Sequence, residues 1–395
     1  KTDFFPGRSA PIINVISADQ NGMLLIGSYN GLFRVHPQLQ QFVKFREHES
    51  LLPTVNVRSL FLDRTGVLWL GSRENGLYYT RHSKSAFVSL EELAPQADSK
   101  QFQFAVTAVL ADAEAIWLGS AEHLHRFERK TGLMQTYVTA GRVNAIRRDP
   151  SGQIFASADS GLYQVSPDLQ SIALVTEPFQ QNPQVAANIR DLSIQTDGSF
   201  WIGLWGDGVI HWDPVQNKSI AYLQSEIRQK IGDAVQAMFV SDGYTWVGTR
   251  YSGLFRIEHS SGAVEHFSEA DTNQLQLPSE DVHCLEKGPD RTLMICTQQG
   301  LVVYDLETDT QHLLDVRSGL PSSNIIGAYA DQQQNIWLLS SKGLSLKQRD
   351  SQRMVTFTKQ DGLVATELVF KSFHDDQQGT FYIGSIEGLT VMEPA

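Results

Sequence analysis

Several features that would place a protein quickly are missing from this chain. No apolar run reaches the length of a membrane span, and no signal-type apolar segment opens the sequence, which predicts a soluble fragment or a processed form. Basic residues are outnumbered, with 32 Lys and Arg against 44 Asp and Glu and a net charge of −12. Nucleic acid and anionic membrane both need a basic face, so neither is expected as the main partner. Cysteine is nearly absent, at Cys284 and Cys296. Two cysteines make no zinc site by themselves. A disulfide between adjacent strands is open to them, but two small buried residues at β positions is the preferred reading. No Gly-rich phosphate loop and no His-Glu-x-x-His motif occurs, and His283 has no neighbour at metal-ligand spacing. No cofactor, metal or catalytic residue is therefore expected.

What is present is a repeat. Gly66-Val-Leu-Trp-Leu-Gly-Ser-Arg-Glu-Asn-Gly-Leu-Tyr-Tyr79 returns as Trp117-Leu-Gly-Ser120, as Trp201-Ile-Gly203 and as Trp246-Val-Gly-Thr249, with fainter copies between. Anchors at positions 25, 69, 117, 155, 201, 246, 294, 337 and 382 differ by 38 to 48 residues, the period of four-stranded propeller blades. Each unit carries β-branched and aromatic residues between Gly, Asp and Asn turn signals, and apolar residues at helical spacing do not appear.

Within a unit, Val57 to Leu62 reads as a first strand, Asp63 to Gly66 as a turn, Val67 to Leu70 as a second strand and Leu77 to Tyr79 as a third. Ala86 to Val88 reads as the outer fourth. The motif tryptophans are expected between blades, and the motif glycine is expected to let one blade approach the next closely. Asp63, Asp149 and Asp331 share one repeat position and read as turn formers.

The last repeat runs out at Leu389 to Met392 without a fourth strand, while Asp3 to Phe5 carry an outer-strand pattern. Such a splice would remove exposed sheet edges. The fold expected is an all-β propeller, a single ring of nine four-stranded blades over residues 1–395, closed by the N-terminal strand. The alternative is two rings, one seven-bladed with extra blades.

On these repeats the sequence resembles the two-component regulator propeller family, most closely over Val57 to Leu77 and Ile189 to Val209. In that family such repeats form the extracytoplasmic sensor regions of membrane-bound histidine kinases, hybrid two-component systems and some diguanylate cyclases. Phe357 to Leu363, Glu367 and Gly384 to Pro394 look like its closing repeat. The resemblance implies a periplasmic sensor domain, anchored through segments outside this chain and paired as a homodimer in the intact receptor. The family's ligand residues form no fixed motif, so none is carried over.

Candidate site residues come from the repeat itself. Alignment puts Asn14, Arg58, Thr107, Asn144, Arg190, Gln236, His283, Ile326 and Lys371 at one position, at the start of each innermost strand. A solvated channel lining explains such a series, and so does a binding mouth. Loops on the same face hold Arg73, Trp205, Arg250 and Tyr251. Aromatic planes beside arginines suit an oligosaccharide or similar small solute. The expected ligand-binding set is Arg58, Arg73, Arg190, Trp205, Arg250, Tyr251, His283 and Lys371. A propeller lyase or hydrolase acting on polysaccharide is the alternative.

Overall fold

The computed structural model describes residues 12–18, 24–29, 31–36, 41–44, 55–62, 67–74, 76–81, 87–93, 102–180, 186–229, 233–241, 243–270, 275–349, 354–376 and 379–392. The chain divides into two compact units, Lys1–Ser85 and Ala86–Ala395, where the repeat pattern leads one to expect a single domain.

The first unit holds a four-stranded sheet starting at Ile13–Ala18 and, among the described residues, a three-stranded one starting at Val57–Leu62. Leu25, Leu32, Val57, Leu68 and Leu70 pack between them.

The second unit holds seven four-stranded antiparallel sheets. Their first strands are Ala108–Ala111, Val143–Arg148, Ile189–Ile194, Val235–Ser241, Val282–Lys287, Ile325–Ala330 and Leu368–Asp375, and we number the blades 1 to 7 in that order. Each interface between successive blades has its own apolar cluster. A further cluster joins Tyr382, Leu389 and Val391 of blade 7 to Val109, Ile116 and Phe127 of blade 1. The seven blades therefore close on themselves.

That closure corrects the nine-bladed ring expected from the repeat count. The strand that completes blade 7 is Phe87–Ser89, which lies beside Gly388–Met392 with Ser89 opposite Thr390 and Phe87 opposite Met392. The sequence reading assigns that strand to the second repeat and the closing role to Asp3 to Phe5, which lie outside the described residues. An outer strand pairs along one edge only, so its own residues do not say which sheet it joins.

The repeat motif does in this structure what its chemistry predicts. Trp117, Trp201, Trp246 and Trp337 are buried between blades. Burial of a large apolar side chain contributes roughly 1.5–3 kcal/mol. The motif glycine is a point of close approach: a Cβ on Gly203 would lie 2.6 Å from Val235 Cγ1 of the next blade, and one on Gly248 would lie 2.5 Å from Val282 Cγ1. The hydroxyl residue that ends the second strand caps the following turn, since Thr249, Thr297, Ser340 and Ser385 each donate a hydroxyl to the carbonyl of Gly253, Gly300, Gly343 and Gly388. Asp149 and Asp331 act as turn residues. Asp149 Oδ1 accepts from the backbone N–H of Ser151 and Gln153, and Asp331 Oδ1 from that of Asn335. Asp63 lies outside the described residues.

Cys284 and Cys296 sit directly opposite each other in blade 5 and are joined as a disulfide, which corrects the reading of two unbonded buried residues. Register places the two side chains on the same face of adjacent strands.

Candidate functional site

The polar series of the inner strands owes its position to a β-bulge. Pairing of first and second strands slips by one residue at Asn14, Arg58, Asn144, Arg190, Gln236, His283 and Ile326. A bulge leaves one residue unpaired and re-aims its side chain. At Asn144 and His283 the bulged side chain turns toward the next blade, as does that of the equivalent Thr107. Thr107 Oγ1 donates to the Val143 carbonyl at 2.6 Å, Asn144 Nδ2 to that of Ile189 at 2.8 Å, and His283 Nδ1 to that of Ile325 at 3.0 Å. In the first unit Asn14 Nδ2 donates to Val57 in the same way, at 2.8 Å. Much of the series is thus a set of links between neighbouring sheets, and the buried His283 belongs to it.

A second repeated contact fixes the loop between second and third strands. The first residue of that loop donates its N–H to the carbonyl just before the first strand: Asp159 to Arg142, Trp205 to Asn188 and Arg250 to Ala234, each at 3.0 Å. Between blades 3 and 4 the stitching is denser. Trp205 bridges to Ala234, and Gly206 N donates to the Asp233 carbonyl at 3.1 Å. The fully buried Asp233 carboxylate accepts from Ala234 N, Tyr251 N and Ser252 Oγ.

This framework brings Arg190, Trp205, Arg250 and Tyr251 together. The guanidinium of Arg190 lies 4.5 Å from the Trp205 ring centre, and that of Arg250 lies 5.6 Å from Trp205 and 4.9 Å from Tyr251. Cation–π contacts of this kind hold a guanidinium over a ring while leaving its N–H edge available. Arg190 also pairs with Asp159 at 3.3 Å. Burial lowers the Arg190 pKa, the Asp159 carboxylate opposes the shift, and the guanidiniums of Arg142 and Arg250 add to it.

The other nominated residues lie elsewhere. Lys371 is half-buried with its ammonium shielded from water, and its Nζ is 3.0 Å from Asp191 Oδ2. Asp191 also accepts from the N–H groups of Leu192 and Met238 and lies 3.7 Å from Arg147. Burial lowers the Lys371 pKa against the opposing pull of Asp191. Glu286 of blade 5 senses Arg147, Asp191 and Lys371, carried by blades 2, 3 and 7, so these four charges share the central channel. The Glu286 side chain stands among these charges and is open to water, as befits a channel position. Its pKa is pushed up to about 7, chiefly by burial and further by Asp191, with Arg147 and Lys371 opposing. Arg58 and Arg73 belong to the first unit, where both are exposed.

Arg142, Asp159 and Asp191 escape the sequence reading. Arg142 stands two positions before the bulged Asn144, in a second column that is polar in five of the nine repeats, at Asn56, Arg142, Asn188, Asp281 and Asn324, and that aligning the repeats would expose.

The fold defines the class, a β-propeller. No family model matches the chain. The extracellular domain of a protein described as a hybrid two-component system, from B. thetaiotaomicron, superposes with a TM-score of 0.77 at 19% identity, covering 97% of this chain and 51% of that one. A second extracellular domain from B. thetaiotaomicron, described as that of a one-component system, gives 0.60 at 16% identity over 97% of this chain and 53% of that one. Virginiamycin B lyase from Staphylococcus aureus gives 0.57 at 10% identity, covering 78% of this chain and 98% of that one. In sequence, histidine kinase P4 of Formosa agariphila is 22% identical over 212 residues, which make up 51% of this chain. The chain spans only 15% of that kinase's length. Extracellular domains of proteins described as hybrid two-component and one-component systems thus share this fold over nearly all of this chain. No helix among the described residues is long and apolar enough to cross a membrane.

Proposed function

We propose that this chain is the extracytoplasmic ligand-sensing part of a transmembrane two-component sensor kinase or related signalling protein, and that it binds an oligosaccharide or similar solute at the propeller mouth without catalysis of its own. The observation that carries this reading is the meeting of Arg190, Trp205, Arg250 and Tyr251 at the junction of blades 3 and 4. Convergence of polar and aromatic groups from separate elements on a small volume is what ligand binding needs. The likeness to the extracellular domain of a protein described as a hybrid two-component system supports the class, and the Cys284–Cys296 disulfide fits a periplasmic location, where such bonds persist.

Blades packed on both neighbours make a stiff ring, so the signal passes by a change in how two receptors pair as a homodimer. The parent protein supplies the membrane anchor and the kinase or cyclase output. An enzymatic reading finds less to work with: His283 and Asp281 lie 3.2 Å apart, but the other ring nitrogen of His283 is engaged with the Ile325 carbonyl.

A glycan panel screened by thermal shift tests the proposal. The expected result is a hit whose affinity falls by about 1–3 kcal/mol in Trp205→Ala or Arg250→Ala, typical of a lost stacking anchor or charged hydrogen bond. Unchanged affinity in both variants, with folding intact, would remove the site from the mouth.

A further inference from the structure

Three consecutive blades each bring one guanidinium to the same corner of the mouth: Arg142 at the start of blade 2, Arg190 in blade 3 and Arg250 in blade 4. The Arg142 carbonyl accepts from Asp159 N at 3.0 Å, Asp159 pairs with Arg190, and Arg190 shares the Trp205 ring with Arg250; the charges of Arg142 and Arg250 both disfavour that of Arg190. Like charges held together in this way repel unless an anion lies among them.

Two carboxylates described at this corner are already engaged. Asp159 is 3.3 Å from Arg190, but its Oδ1 also accepts from Asn144 Nδ2 at 2.9 Å. Asp233 is buried and occupied by Ala234 N, Tyr251 N and Ser252 Oγ. The Nε–H groups of Arg142 and Arg190 are buried without a hydrogen-bond partner. A buried polar group left unpaired costs on the order of 1–3 kcal/mol, more if charged. Arg250 forms no ion pair among the described residues, resting instead against Trp205 and Tyr251.

We infer that this corner receives an oxyanion, a carboxylate or sulfate group carried by an acidic saccharide. The inference rests on the sensing role proposed above and narrows its ligand from saccharides in general to charged ones. It also changes the part played by Trp205. Two guanidiniums already lie over that ring, so it serves to hold them in place and is no longer a free platform for a sugar face. The remaining N–H edges match a carboxylate or sulfate in bidentate geometry, the pairing arginine makes best. An overall charge of −12 sets the site apart further, because the cluster is a local positive spot on an acidic protein.

Calorimetric titration of the full chain tests this. The probes are uronate-bearing and sulfated oligosaccharides, neutral oligosaccharides of matched length, and inorganic sulfate alone. Arg142→Gln and Arg250→Gln are compared with the parent after their melting curves confirm folding. Arg142 lies outside the Trp205 stack, so that variant stays informative if the stack proves structural. The expected result is that hits fall among the acidic glycans and weaken about tenfold or more in either variant, as for loss of a charge-assisted pair. Hits confined to neutral glycans and indifferent to both substitutions would overturn the inference while leaving the sensing role intact. Sulfate binding that both variants lose, with no glycan bound, would uphold the anion site and overturn the saccharide reading. No binding of any probe would overturn both.

Discussion

Lys371 Nζ of blade 7 lies 3.0 Å from Asp191 Oδ2 of blade 3, so one ion pair, between a buried carboxylate and the buried ammonium of a half-buried lysine, joins two non-adjacent blades across the channel. The two partners are not equivalent. Asp191 also takes the N–H groups of Leu192 and Met238 and faces Arg147, whereas the ion pair of Lys371 is with Asp191 alone among the described residues.

Asp191→Ala should therefore cost more than Lys371→Met. The first leaves a buried ammonium and two N–H groups unpaired, a loss of about 3–5 kcal/mol. The second leaves a carboxylate that keeps two N–H donors and an arginine nearby. Urea unfolding of the two variants checks the order, and a Lys371→Met loss equal to or larger than that of Asp191→Ala would contradict it.

Glu286 makes a pH-dependent contribution whose sign follows from its surroundings. Its folded pKa of about 7 lies above the ordinary 4.5, so between those values the folded state holds more protons than the unfolded chain. Stability from this group is present at low pH and is lost as pH rises through about 7. Glu286→Gln should gain melting temperature relative to the parent as pH goes from about 5 to about 8, following that titration. His125, held down to about 4 chiefly by burial and then by His123, works in the opposite sense as pH falls, equally in both proteins. The difference between the two curves is the readout, and a difference that stays constant across this range would count against the assignment.

The close approach at Gly203 can be tested alone. Gly203→Ala places a methyl 2.6 Å from Val235 Cγ1, and overpacking of a tight core costs typically about 1–3 kcal/mol. Adding Val235→Ala should recover part of the Gly203→Ala loss when each is compared on its own background. Additive losses in a double-mutant cycle would mean that the two residues do not meet as described.

The sequence makes the blade legible because its chemistry is local. The glycine of the motif, the hydroxyl that ends the second strand, the turn aspartates and the interleaved tryptophans each act within one repeat or on the next. Closure is different in kind. Phe87–Ser89 joins the far end of the chain, and nothing in three residues of β character distinguishes that partner from a nearer one. The Cys284–Cys296 disulfide depends on strand register, which spacing alone leaves open. At the mouth, Trp205, Arg250 and Tyr251 could be found as loop positions, and Arg190 as a member of the bulged series. His283 and Lys371 belong to that series too, but one links blades and the other crosses the channel. Asp191 becomes visible only once the ring brings blades 3 and 7 to face each other.

Hydrogen exchange of the chain with and without a saturating glycan hit reports directly where the ligand sits. The account predicts slowed exchange in the loops around Trp205 to Asp207 and Arg250 to Ser252, both held at the mouth by Asp233 and Ala234. Slowed exchange confined to the aspartate turns around Asp149 to Gly152 and Asp331 to Asn335, with the mouth loops unchanged, would contradict it.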